Sequence, residues 1–319
     1  MKKLLLGNEA VARGLYEAGV RVVSSYPGTP STEITEEAAK FDEIACEWAP
    51  NEKVSAEVAA GASFAGARSF CAMKHVGLNV AADPFFTMSY IGVNGGMVLA
   101  VADDPGMHSS QNEQDSRNYA IGAKVPMLEP ADSSECKEFT KLAYSLSEEY
   151  DTPVVLRLTT RISHSRSLVE LCDREERELI PYRKDPAKNV MLPAFAKKKH
   201  PMVEERTAAL TKWAESSEIN RIELNDTPIG IIAAGACYQY AKEAMGENAS
   251  YLKLGMIHPL PVDLIKHFAE EVDTLYVIEE LDDIIETHCR KNGIPVIGKE
   301  LFPRCGEFNQ QLIRELLTG

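Results

Sequence analysis

Asn51-Glu52-Lys53-Val54-Ser55-Ala56-Glu57-Val58-Ala59-Ala60-Gly61-Ala62-Ser63 puts an acidic residue at the head of a segment built almost entirely from small residues. A helix of this composition packs closely against its neighbours. Its first-turn carboxylate lies where the positive end of the helix dipole favours negative charge, worth about 0.5 kcal/mol if the residue does no more than cap. The small apolar residues that follow also make a close, dry wall, the setting in which a carboxyl group can serve in proton transfer. Glu57, with Gly66 nine residues beyond it as Gly61 is beyond Glu52, competes for that role.

Around this segment, apolar β-rich runs alternate with helical patterns from Met1 to about Thr160. Strands are predicted at Val20–Ser25, Glu43–Glu47, Ser69–Met73, Gly96–Ala102, Val125–Glu129 and Pro153–Leu158. Helices are predicted at Asn8–Ala18, Ser31–Lys40, Lys53–Ala65, Leu78–Tyr90, Glu113–Ala123 and Ser133–Glu149. This is the rhythm of a parallel sheet covered on both faces. Asp132-Ser133-Ser134-Glu135 supplies a side-chain oxygen to cap the last of these helices.

Between about Ser165 and Asn225 the pattern loosens. Asp173-Arg174-Glu175-Glu176-Arg177-Glu178 is highly charged, and Pro181, Pro186, Pro193 and Pro201 interrupt any long element, leaving one helix near Val203–Ser216. A second βα rhythm starts at Ile229-Gly230-Ile231-Ile232-Ala233-Ala234-Gly235, with later strands near Tyr251–Leu254 and Thr274–Glu279. The expected organisation is a domain over 1–175, a connection over 176–224 and a smaller domain over 225–319.

Composition excludes several classes of function. A net charge of −14 argues against nucleic-acid binding, and the one basic cluster, Lys197-Lys198-Lys199, falls in the connection and reads as solvated surface. The seven cysteines, at 46, 71, 136, 172, 237, 289 and 305, are scattered and never spaced Cys-x-x-Cys, so neither a disulfide framework nor a zinc or iron–sulfur site is indicated. Leu4-Leu5-Leu6 is too short for a signal peptide, and no run approaches ~20 apolar residues. A soluble, cytoplasmic protein with no membrane partner is expected.

Three polar segments follow predicted strands, on the side of an open parallel sheet where ligands collect. In Tyr26-Pro27-Gly28-Thr29-Pro30-Ser31-Thr32-Glu33 two prolines stiffen the turn, Gly28 lets backbone approach a ligand and Thr29 can present a hydroxyl. Ser31 or Thr32 equally suits a helix cap. In Met73-Lys74-His75-Val76-Gly77-Leu78-Asn79, Lys74 and His75 could hold a carboxylate, although a Lys-His pair is also ordinary surface chemistry. The loop from Asp103 to Arg117 is rich in donors and acceptors and includes His108; Arg117 could pair bidentately with a carboxylate or be an ordinary helical arginine. Thr160-Arg161-Ile162-Ser163-His164 yields no derivable role.

The Glu52-to-Gly61 spacing resembles the pyrimidine-binding domain of thiamine diphosphate enzymes. Together with 26–33 and 73–79 it resembles the α subunit of the indolepyruvate branch of the 2-oxoacid:ferredoxin oxidoreductase family, whose pattern residues 74–84 match closely. The resemblance implies an α/β fold: a pyrimidine-type domain with a parallel sheet, followed by a smaller transketolase C-terminal-like α/β domain. It implies Glu52 as the catalytic carboxylate on the cofactor's aminopyrimidine, preferred over Glu57. Further cofactor contacts would come from Tyr26, Pro27, Gly28 and Asn79, and substrate contacts from Thr29, Lys74, His75, His108 and Arg117. The implied reaction is oxidative decarboxylation of an aryl 2-oxoacid to an acyl-CoA, with ferredoxin as electron acceptor.

In that family a Gly-Asp-Gly segment and a later Asn bind the diphosphate and Mg²⁺, and ferredoxin-like cysteine repeats hold iron–sulfur clusters. Neither occurs in this sequence. The expectation is therefore a fragment or a split subunit that holds no metal, forms a homodimer and is inactive alone. Diphosphate-binding and ferredoxin-like domains, a β subunit and ferredoxin would be its partners. The other reading is a noncatalytic assembly or ligand-binding module on the same fold, against which the retained polar residues argue.

Overall fold

Uninterrupted apolar runs become the central strands. Ser69–Lys74, Met97–Asp103 and Val154–Thr159 are buried at every position, the mark of parallel strands covered on both faces. The computed structural model describes Met1 to Gly319. The first part of the chain runs β1 (Lys2–Leu6), α1 (Gly7–Glu17), β2 (Val22–Ser25), α2 (Thr32–Ala38), β3 (Ala45–Trp48), α3 (Glu52–Phe64), β4 (Ser69–Lys74), α4 (His75–Val80), α5 (Ala82–Ile91), β5 (Met97–Asp103), α6 (Arg117–Ala123), β6 (Met127–Leu128), α7 (Ser133–Glu149), β7 (Val154–Thr159), α8 (Thr160–His164) and β8 (Arg166–Glu170). The rest runs α9 (Pro186–Asn189), α10 (Pro193–Ser216), β9 (Arg221–Glu223), β10 (Ile229–Ala234), α11 (Gly235–Met245), β11 (Ser250–Leu254), β12 (Met256–His258), α12 (Val262–Glu270), β13 (Thr274–Ile278), α13 (Ile284–Lys291) and α14 (Gln310–Thr318).

The main sheet has seven strands in the order β12-β6-β7-β5-β4-β2-β3. All pair in parallel except β12, which lies antiparallel on β6. A second sheet, β13-β10-β11-β9, is parallel apart from its edge strand β9. Helices α3 and α7 begin at capping side chains: Asn51 accepts from the Val54 amide at 3.0 Å and Asp132 from that of Glu135 at 2.8 Å.

Several elements differ from the sequence reading. The helix expected over Leu78–Tyr90 is two, broken at Ala81, because Pro84 has no N–H to offer the Val80 carbonyl. The helix expected from Glu113 starts only at Arg117. Glu113 instead accepts from the Gly106 amide at 2.8 Å, and Asp115 takes the Arg117 amide at 3.0 Å. Helix α10 begins ten residues before Val203, at Pro193, and runs through Pro201. An unexpected antiparallel ribbon joins β1 to β8, with Leu4 opposite Leu168.

The connection is docked against the first part of the chain. The Glu175 amide donates to Glu17 O at 2.9 Å and that of Ile180 to Gly66 O at 3.1 Å, while Lys188 Nζ reaches Asp151 at 2.8 Å. Both sheets share a core: one apolar cluster includes Ala56, Met73 and Leu99 together with Ile232, Leu252 and Val277. Strand β12, from the later part of the chain, completes the first sheet and ties the two parts together.

Candidate active site

The strand order reverses beside β2, since β3 lies on one side of it and β4 on the other. Connections leaving β2 and β4 therefore diverge and open a crevice at their carboxyl ends. The two strands pair only through Val22 opposite Ser69 and Val23 opposite Phe70. Beyond that a side chain replaces the ladder: Ser25 Oγ accepts from the Ala72 amide at 3.0 Å and from Thr35 Oγ1 at 2.7 Å.

The turn after β2 lies in this crevice. Ser31 N and Oγ both donate to Gly28 O at 2.9 Å, and the Gly28 amide donates to Thr32 Oγ1 at 2.9 Å. A Cβ on Gly28 would stand 3.2 Å from Cβ of Lys74, so the two loops touch closely at this glycine. Tyr26, Pro27 and Thr29 are exposed on this turn.

Glu52 opens α3 and is 9% exposed, yet no protein donor or cation reaches its carboxylate. Its oxygens keep some solvent access, so a ligand donor can complete them. A Cβ on Gly77 would lie 2.6 Å from Oε1 and 2.7 Å from Cγ of Glu52, so this carboxylate is seated against the backbone of α4. Gly61, the glycine that the spacing singles out, would meet nothing with a Cβ. Glu57 is exposed, and Gly66 lies instead against Ile180 of the docked connection. Gly77 thus makes the close approach, and its position just past Lys74-His75 was the only signal of it.

Lys74 ends β4, and its Nζ donates to Ser109 O at 2.7 Å, with Asp104 Oδ2 at 3.9 Å. Burial draws this ammonium below the ordinary lysine range, with Asp104 working against it. His75 is 1% exposed and neither ring nitrogen has a partner. Burial, with the charge of Lys74, pushes its pKa down to about 4, so the ring is neutral near pH 7. Asn79 is exposed and accepts from Tyr119 Oη, and His108 stands 3.3 Å from Glu307 on the rim. Arg161, on the same rim, also pairs with Glu307, and His164 lies 3.7 Å from Glu33.

Arg117 lies in a buried ionic junction. It is 2% exposed, with Nη2 2.6 Å from Asp115 Oδ2 and Nη1 2.5 Å from Glu279 Oε2. Its Nη2 also donates to the carbonyls of Glu280 and Asp282, at 3.0 and 2.9 Å. Most of its donors are committed to this junction, which speaks for a structural role. Beside it Arg157 bridges Asp103 at 2.8 Å and Glu129 at 2.6 Å. Asp115 lay in the quoted loop two residues away, whereas Glu279 is too remote in the chain for the sequence to relate it to Arg117.

The residues present fit one end of thiamine diphosphate. Glu52 offers an unpartnered carboxylate seated on Gly77, and His75, two residues before that glycine, has two unpartnered ring nitrogens. No group of three or more His, Cys, Asp or Glu side chains is arranged to hold a metal ion.

An α/β scaffold with a switch-point crevice and an unpaired acid at a helix head defines a cofactor-binding class. A family model described as "Pyruvate flavodoxin/ferredoxin oxidoreductase, thiamine diP-bdg" matches residues 13–225, and the chain belongs to that family. It is 45% identical over 312 residues to indolepyruvate oxidoreductase subunit IorA of Archaeoglobus fulgidus, covering 93% of this chain and 50% of the relative. The same-named subunit of Thermococcus kodakarensis is 44% identical over 335 residues, covering 99% of this chain and 52% of the relative. The chain thus spans about half the length of these relatives. The solved 2-oxoglutarate:ferredoxin oxidoreductase of Magnetococcus marinus superposes with a TM-score of 0.83 at 18% identity, over 99% of this chain and 65% of that one, a likeness of fold. No helix is long and apolar enough to cross a membrane.

Proposed function

We propose that this chain is the pyrimidine-binding and transketolase-C-like portion of an oxidoreductase that oxidatively decarboxylates aryl 2-oxoacids of the indolepyruvate type. CoA is the acyl acceptor and ferredoxin the electron acceptor. The observation that carries the reading is Glu52, a residue 9% exposed whose carboxylate has no protein partner and is seated on Gly77. Support for the substrate class comes from the names of the relatives.

Thiamine diphosphate supplies the nucleophilic carbon for addition to a 2-oxoacid carbonyl. Glu52 holds a proton at the ring-nitrogen end of the pyrimidine. Lys74 binds the substrate carboxylate as a point charge, and neutral His75 offers one donor and one acceptor beside it. Thr29 and the backbone at Gly28 line the opposite wall, with Tyr26, Pro27 and Asn79 at the cofactor's margin. Mg²⁺, the iron–sulfur clusters and CoA belong to diphosphate-binding and ferredoxin-like domains and a β subunit. The chain is a homodimer, and light scattering checks this against its 35.2 kDa monomer mass.

The decisive experiment is reconstitution with a diphosphate-binding partner. Glu52→Gln keeps cofactor binding and lowers turnover at least ~100-fold, the lower range for a positioned acid or base. Near-normal turnover in Glu52→Gln, with collapse in Glu57→Gln, would defeat the assignment. Cofactor binding with no turnover under any pairing would favour a noncatalytic module.

A further inference from the structure

Asp104 ties three strand-end connections of the crevice together. It leaves β5, is buried, and its Oδ2 accepts from the Ser109 amide at 3.0 Å and from Ser110 Oγ at 2.5 Å. Its Oδ1 accepts from Thr160 Oγ1 at 2.7 Å, at the end of β7. Although burial opposes ionisation, these bonds and the Lys74 charge hold its pKa near 2.

The turn so formed is over-determined. Met107 occupies the left-handed region at φ 53°, a conformation that a side chain other than glycine keeps only where its surroundings impose it. Asp104 fixes one side of the turn, and the contact of His108 with Glu307 at 3.3 Å fixes the other. The result is a carbonyl, Ser109 O, set 2.7 Å from Lys74 Nζ.

An ammonium has three donors. Ser109 O satisfies one, while Ser109 Oγ at 3.4 Å and Asp104 Oδ2 at 3.9 Å are longer contacts. A neutral carbonyl is a weaker acceptor for a cation than a carboxylate is. Ser109 O therefore stands where a stronger acceptor would displace it.

We propose that Asp104 is a positioning residue: by folding the 105–110 turn it sets Ser109 O on Lys74, presetting the ammonium for an incoming carboxylate that takes over this contact. The inference rests on the reading of Lys74 as a carboxylate-binding group.

The test uses the full chain with its lysines ¹³C,¹⁵N-labelled and unmodified, the Lys74 side-chain resonance being identified by its loss in Lys74→Arg. Without ligand, Asp104→Asn lowers the Lys74 titration midpoint by about one pH unit, as loss of a close opposite charge does, and speeds amide exchange over residues 106–110. Thr160→Val keeps the Asp104 charge, so it speeds loop exchange without a comparable change in midpoint. A folded Asp104→Asn protein with both readouts unchanged overturns the proposal. If that variant does not fold, Thr160→Val and Ser110→Ala decide it, and unchanged loop exchange in both overturns it. Phenylpyruvate added to the wild-type chain shifts the Lys74 resonance and accelerates exchange at Ser109 and Ser110. A Lys74 shift without loop release refutes the handover. No Lys74 response refutes the reading of Lys74 itself and leaves the ligand-free role of Asp104 to stand or fall on its own measurements.

Discussion

Gly77 lies so close to Glu52 that a Cβ on it would stand 2.6 Å from Oε1, 2.7 Å from Cγ and 2.9 Å from Cδ. The carboxylate is therefore aimed by backbone, and the glycine is what permits it. Gly77→Ala gains up to about 1 kcal/mol of helix propensity and meets an overpacking cost of about 1–3 kcal/mol, so urea midpoints fall modestly. Turnover of the reconstituted enzyme falls about 100-fold, as an ångström of misplacement can cost. Unchanged turnover would show that the carboxylate needs no such seat.

Arg117→Met tests whether that residue serves the junction or a substrate carboxylate. Removing one partner from a buried ionic cluster costs about 3–5 kcal/mol, because Asp115 and Glu279 are left uncompensated. Denaturant unfolding reads this directly. A variant of wild-type stability with weakened carboxylate binding would instead restore Arg117 to the substrate.

Glu280 accepts from the Phe308 amide at 2.7 Å, and burial, with Glu307 and Glu129 nearby, pushes its pKa up to about 7 from 4.5. The folded state thus holds a proton that the unfolded state releases, so this contribution is full below pH 4.5 and lost as pH rises through 7. Glu280→Gln lacks that loss. Its stability relative to wild type should increase between pH 5 and pH 8, and urea titrations at both values check it; a constant difference would contradict it.

His258 has the opposite sign. Its Nε2 is buried without a partner, and burial with the charges of Lys124 and His288 pushes its pKa down to about 4 from 6.5. Stability is full above pH 6.5 and lost as pH falls toward 4. His258→Phe should lose less unfolding free energy than wild type between pH 7 and pH 5. An unchanged acid slope would mean that the ring is not buried neutral.

The strands around Ser69, Met97 and Val154 were legible because strands buried on both faces are continuous apolar runs. So were the crevice turns after β2 and β4, marked by prolines, Gly28 and the Lys-His pair. What stayed hidden depends on partners remote in sequence. Arg117 finds Glu279, Asp104 finds Thr160, and Glu52 finds Gly77, none of which a local pattern relates. The helix starting at Pro193 was hidden for another reason: Pro193 takes the first helical position, where no N–H is missed, and the helix tolerates Pro201 in its interior, where a proline ordinarily breaks one.

The pairing of Leu128 with Met256 carries a consequence for biosynthesis. Strand β6 waits at the rim of the main sheet for a strand translated long after everything else in that sheet, and until β12 arrives its backbone presents open hydrogen-bonding groups. So distant a contact closes slowly. The main sheet is thus complete only once His258 has emerged from the ribosome: the last-made strand decides when the first-made sheet is safe from other chains.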